Sequence, residues 1–198
     1  RFLPEHTARR DGTALRHLVR LLLAVRLTLA AGAALVLVAT APWLESLYAG
    51  AGTGQLLFRI GAMTILAAAL DASAISIFIG LQQYRAQAVL SLVPSVGGML
   101  TAFLAAATGM SLASYFAAWA ALQLGAALLS LGIALSAAWR AAPGTAATPT
   151  GAPPAARRYI AYAWPLWGSW IGTAAYQHLG RSLLGLFAPA AVIGAYSL

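Results

Sequence analysis

Cysteine is absent from the chain. Disulfides, thiolate nucleophiles and cysteine-based metal sites are therefore excluded. Lysine is absent too, because all twelve basic residues are arginine. Acids are scarce: Glu5, Asp11, Glu45 and Asp71 are the only four. Charged residues of both signs make up 8% of the chain, whereas a soluble domain carries about 25% to keep its surface solvated. What fills the chain instead is apolar, 61% of all residues. Such a chain must face lipid over most of its surface, and a soluble enzyme is excluded. The 198 residues suffice for about five or six helices of about 20 residues each. The net charge of +8 could suggest nucleic acid. The arginines lie beside apolar runs, however, so the positive-inside rule accounts for them and no nucleic-acid partner is expected.

Six apolar runs follow one another. The first, roughly residues 18–43, comes after a polar, basic lead of residues 1–17 and is expected to stop at Pro42-Trp43, with Tyr48 as an interfacial anchor. A glycine-rich connection leads to a second run, roughly 55–81, then the polar turn Gln82-Gln83-Tyr84-Arg85. The third run, roughly 86–107, contains Pro94 and Gly97-Gly98, which predicts a kink turned toward protein. Residues 108–111 turn the chain into a fourth run, roughly 112–138, ending at Trp139-Arg140. Along it Ala118, Ala121, Gly125, Gly132 and Ser136 recur at helical spacing and predict a close-packing face. Residues 141–157 are rich in Pro, Gly, Ala and Thr and are expected to form a flexible connector. A fifth run extends from Tyr159 to about residue 186, and a sixth follows Ala188-Pro189. The start at Arg1 and the end inside an apolar run lead us to expect a piece of a longer protein.

None of the runs alternates like a barrel strand, so the expected fold class is all-α, a polytopic transmembrane helical bundle. The arginines then orient it. Arg1, Arg9, Arg10, Arg16, Arg20, Arg85, Arg140, Arg157 and Arg158 lie before run one, between two and three, or between four and five, nine of the twelve. The loops at 44–54 and 108–111 carry none. Residues 1–17, 82–87 and 139–158 are thus expected on the cytoplasmic side of a bacterial inner membrane.

Four ionisable residues fall inside runs. Arg59, near an outer helix end, either snorkels to the interface or faces the interior. Arg26, about 9 Å deeper than Arg20 on a helix, leaves the same choice open. Asp71 lies near mid-bilayer and is too short to snorkel. It lines a wet cavity or forms a structural ion pair. In the fifth run Trp167, Trp170, Ala174, Gln177 and Arg181 are spaced 3, 4, 3 and 4, one aromatic-to-polar stripe along a helix. A guanidinium there suits a phosphate-bearing ligand, or else anchors the helix at the outer headgroups. His6, His17 and His178 are scattered, and no HExxH, P-loop or GxSxG pattern occurs. No catalytic group, metal site or cofactor is expected.

The segment from Tyr162 to Leu198, YAWPLWGSWIGTAAYQHLGRSLLGLFAPAAVIGAYSL, resembles the start of the second half of the polysaccharide flippases. These are the O-antigen and lipid-linked oligosaccharide exporters of the multidrug/oligosaccharidyl-lipid/polysaccharide superfamily. The likeness rests on Pro165, Arg181, Leu184-Gly185, Ala188-Pro189 and Gly194-Ala195-Tyr196. RFLPE at residues 1–5 resembles the cytoplasmic end of the family's second helix, and the turn Gly80-Leu81-Gln82-Gln83-Tyr84-Arg85 its fourth-to-fifth connection. Many members carry an Asp just before Leu-Gly, where this chain has Gly180-Arg181, which puts a coupling role of that acid in doubt.

The resemblance covers essentially the whole chain. It implies a fragment of a two-lobe transporter of twelve to fourteen helices. Residues 1–140 would be the latter part of the N-terminal lobe with four spanning helices, 141–157 the cytoplasmic inter-lobe connector, and 158–198 the start of the C-terminal lobe. The implied substrate is an isoprenoid-pyrophosphate-linked oligosaccharide moved by alternating access, with Arg181, Gln177, Trp170, Trp167 and Arg26 at the substrate and Asp71 as coupling or cavity acid. Membrane lipid and other polysaccharide-assembly membrane proteins would be its surroundings. Two readings compete. A cation-coupled multidrug exporter of the same superfamily predicts an acidic cavity, yet only Asp71 is present. A non-transport subunit or membrane enzyme of envelope polysaccharide synthesis predicts a catalytic cluster, which the sequence does not show.

Overall fold

The computed structural model describes residues 12–48 and 54–141. They form four α-helices in chain order: α1 (Gly12–Tyr48), α2 (Gly54–Gly80), α3 (Tyr84–Thr108) and α4 (Leu112–Ala141). Each is long and apolar enough to cross a membrane. The described residues contain no strand. A helix pairs its own backbone groups, and that makes it the stable form for an isolated apolar segment in lipid. Runs two to four of the sequence reading coincide with α2–α4 to within three residues at every end.

The first helix departs from expectation at both ends. It begins at Gly12, six residues ahead of the expected start. Leu15, Leu18 and Val19 are buried there, Leu15 with 1% of its surface exposed. Polar neighbours dilute Leu15 in any average, but packing acts on one face, and the spacing 15, 18, 19 is a face. At the other end the helix runs through Pro42 to Tyr48. Pro42 removes one hydrogen bond, to the carbonyl of Val38, and ends a helix only where that loss is not outweighed. In lipid the next turn has no better way to pair its backbone. The 37 residues of α1 reach about 55 Å, well beyond a hydrocarbon core of about 30 Å.

Short connections make successive helices antiparallel. The α2–α3 turn is closed by two bonds, Gln83 N–H to the Phe78 carbonyl (2.8 Å) and Gln82 N–H to that of Ile79 (3.0 Å). This Schellman pattern requires a left-handed residue, and Gln82 supplies it at φ 58°. The α3–α4 turn repeats the device with Gly109 at φ 66° and Met110 N–H bonded to Ala105 (3.1 Å). Ser111 then caps α4, its Oγ accepting from Ser114 N–H at 3.2 Å.

α2 lies between α1 and α4 and packs most extensively against both. The main core sits at one end of the bundle, where Leu15, Leu18 and Val19 of α1 meet Ala74, Ile77 and Phe78 of α2 and Leu131, Ala134 and Ala138 of α4. Small residues dominate where α2 and α4 meet, because lipid gives no hydrophobic reward for helix contact and close approach must supply the attraction. The packed side of α4 is Ala120, Ala127, Leu131, Ala134 and Ala138, with Ala126 and Ser130 on its flank. The expected face, Ala118, Ala121, Gly125, Gly132 and Ser136, lies about half a turn away and is exposed or half-buried. That expectation is corrected: both sides of α4 are rich in small residues, and only packing tells them apart.

The two glycines among the expected breakers in α3 do face protein. A Cβ on Gly97 would meet Leu122 of α4, and one on Gly98 would meet Trp119. Pro94 lies inside a helix that continues through it. The rest of α3 has no buried residue, and Val96, Met99, Leu100, Phe103 and Leu104 are all more than half exposed. A soluble protein does not present so continuous an apolar surface.

Candidate functional site

Among the described residues, two ionisable side chains lie in the middle of spanning helices. The first is Arg26 on α1. Its position continues the buried series Val19, Ala30, Ala34 and Ala41, at intervals of whole turns, so it projects from the packed side of α1. The guanidinium crosses to α2 and its Nη1 donates to the backbone carbonyl of Ala72. That carbonyl also accepts Ser76 Oγ at 2.8 Å.

The second is Asp71, the residue before that carbonyl. It is half-buried. Ala67, Ala74 and Phe78, at −4, +3 and +7 from it, are buried to 3%, 0% and 1% exposure. Asp71 therefore sits on the packed side of α2, away from the lipid side. Arg26 and Asp71 come from opposite chain directions to the same level. Arg26 is about 16 Å along α1 from Leu15, and Asp71 about 14 Å along α2 from Gly80. They are not ion-paired. Among the described residues Asp71 has no hydrogen-bond or ionic partner, and Arg26 uses one of its five donors.

The remaining charges lie toward the helix ends. Arg16 and Arg20 on the first turns of α1, Arg85 on the first of α3 and Arg140 on the last of α4 share the end that holds the main core. Arg140 Nη2 reaches Ser136 Oγ at 3.4 Å. No described acid lies at that end; Glu45 is at the other. Arg59 is exposed, about 8 Å from the start of α2, a depth from which an arginine reaches the headgroups. Trp167, Trp170, Gln177 and Arg181 lie outside the described residues, as does the connector 141–157 except Ala141.

Sequence reasoning singled out Arg26 and Asp71 but did not foresee that Arg26 reaches the backbone carbonyl of the residue next to Asp71. It also passed over Ala72, Ser73 and Ser76. Ser73 is fully buried, and its Oγ donates to the Ala69 carbonyl at 2.7 Å. The available signal was local: an acid and two serines fall within six residues of an otherwise apolar run. A cation and an acid at mid-span, each mostly unsatisfied, can hold an anion and a proton respectively. Among the described residues no three His, Asp or Glu side chains come together as metal ligands.

Four spanning helices with ionisable groups turned inward define a multi-pass membrane protein. The chain matches the polysaccharide biosynthesis protein family over residues 6–198, and it belongs to that family. No curated protein and no solved structure matches it closely enough to add a relative.

Proposed function

We propose that the chain is part of a carrier that moves an isoprenoid-pyrophosphate-linked oligosaccharide across the bacterial cytoplasmic membrane by alternating access. Membership of the family over residues 6–198 supports the substrate class. The observation that carries the reading is Arg26, a cation held on the protein-facing side of a spanning helix. A sugar headgroup cannot shed its hydrogen bonds into hydrocarbon, and a pyrophosphate cannot enter it uncompensated. A carrier must therefore supply polar partners and a cation along the path while the isoprenoid tail stays in lipid. Arg26 answers the second need in the first lobe, residues 1–140. Arg181, with Gln177, Trp170 and Trp167 at helical spacing in the sequence, would answer both in the segment 158–198. No bond is made or broken, so the protein acts as a transporter and not as an enzyme.

In this reading residues 1–17, 82–87 and 139–158 lie in the cytoplasm. Support comes from Arg16, Arg20, Arg85 and Arg140 at one end of the bundle, with no described acid beside them. The reading is tested by export of the lipid-linked saccharide in a flippase-null strain, normalised to membrane protein level. Restored export is expected; no export from normally inserted protein would reject it. Asp71 favours a second reading, a cation-coupled multidrug exporter, since an inward acid without a partner among the described residues could bind a cation. Drug efflux without saccharide export would select it.

A further inference from the structure

The mid-span charges of α1 and α2 form an asymmetric pair. Arg26 rests on a neutral carbonyl, and the carboxyl group next along that helix has no partner among the described residues. Asp71 is the residue before Ala72 on α2, so a long, flexible arginine side chain can turn from one acceptor to the other. The Ala72 carbonyl is a crowded resting place, since it already serves Ser76. A guanidinium prefers a carboxylate, which offers charge and two oxygens, over a shared carbonyl.

We propose that Arg26 is an anion site whose affinity is set by the protonation of Asp71. The inference rests on the reading that the protein handles a pyrophosphate-bearing substrate, and it names the control of that site. With Asp71 ionised, the guanidinium has a fixed internal partner, the pair is neutral, and an incoming phosphate gains little. With Asp71 protonated, Arg26 returns to the Ala72 carbonyl and presents a full positive charge with four free donors. Proton and anion then favour each other's binding, and by linkage each raises the other's occupancy by the same factor. No other described charge takes part. The sole described ionisable groups of α4 are Tyr115 and Arg140, near its two ends. Those of α3 are Tyr84 and Arg85 at its start. α1 adds Arg16, His17 and Arg20 at one end and Glu45 and Tyr48 at the other. Arg59 of α2 is twelve residues from Asp71.

The test is binding of inorganic pyrophosphate to the full chain in lipid nanodiscs, at acidic and at mildly alkaline pH. The ligand titrates as well, and the Asp71→Asn variant carries that contribution alone. Between the acidic and the alkaline pH, wild-type affinity is expected to drop by about tenfold or more relative to that of Asp71→Asn. Asp71→Asn should bind at alkaline pH as tightly as its ligand's charge allows, and Arg26→Gln should bind weakly at both. Identical pH profiles for wild type and Asp71→Asn would overturn the proposal. So would wild-type-like binding by Arg26→Gln, or no pyrophosphate binding to the wild type. Saccharide export measured in parallel separates the two claims. Export with binding indifferent to Asp71 rejects only the switch; Asp71-dependent binding without export rejects only the transport reading.

Discussion

Replacing single glycines by alanine should separate the packed from the unpacked sides of the bundle by the sign of the effect. In a helix interior Gly→Ala by itself stabilises by about 0.8–1.0 kcal/mol. At Gly125 and Gly132 of α4 an added Cβ would meet nothing within 4 Å, so each variant should gain about 0.5–1 kcal/mol. At Gly97 of α3 the same atom would lie 2.6 Å from Cδ2 of Leu122, 3.0 Å from its Cδ1 and 3.3 Å from its Cγ. Carbon atoms pack best at about 3.5–4.0 Å, so roughly 1 Å of overlap must be relieved by turning Leu122 or parting α3 from α4. Overpacking of this kind costs about 1–3 kcal/mol. Set against the helix gain, Gly97→Ala should destabilise by about 0–2 kcal/mol. Combining it with Leu122→Ala removes the clash, so the double variant should be more stable than the sum of the single effects predicts, by about 1 kcal/mol. Reversible unfolding of the purified chain by SDS in mixed micelles reads all of these. If Gly132→Ala destabilised more than Gly97→Ala, or the cycle showed no coupling, the packing assigned to α3 and α4 would be wrong.

The two turns make a matched pair. Gln82→Gly should stabilise by about 1 kcal/mol and Gly109→Ala destabilise by a similar amount, because both positions are left-handed; the same unfolding assay checks both. Orientation can be tested because the chain has no cysteine of its own. Gly50→Cys should react with an impermeant thiol reagent in intact cells and Ala147→Cys only after permeabilisation, and the reverse pattern would overturn the topology. Arg181→Lys should impair saccharide export and Arg181→Ala impair it further, because a bidentate grip on phosphate needs the planar guanidinium. Full activity of the lysine variant would mark Arg181 as an interface anchor.

The sequence alone determined the solvent, and through it most of the architecture. A chain with 8% charged residues has too little polar surface for water, and in lipid only helices satisfy the backbone of an isolated apolar run. Helix existence and the three near-exact runs followed from that. So did the gathering of Arg16, Arg20, Arg85 and Arg140 at one end, since antiparallel helices joined by short turns alternate their ends. Depth along the membrane was also legible, because it depends only on counting residues. That is why Asp71 and Arg26 stood out.

Direction around each helix was not legible. Alanine lies on every side of α4, so the face through Ala127 and Ala134 could not be chosen over the face through Gly125 and Gly132 until α2 was packed against it. The burial of Leu15, ahead of the expected start of α1, depended on the core that α2 and α4 complete. The helix through Pro42 depended on there being no better way to pair the next turn. Above all, the partner of Arg26 is a backbone carbonyl, and every residue carries one. No residue type announces which carbonyl will be reached across a helix interface, so only the tertiary structure could set Arg26 on Ala72 and leave Asp71 beside it without a partner among the described residues.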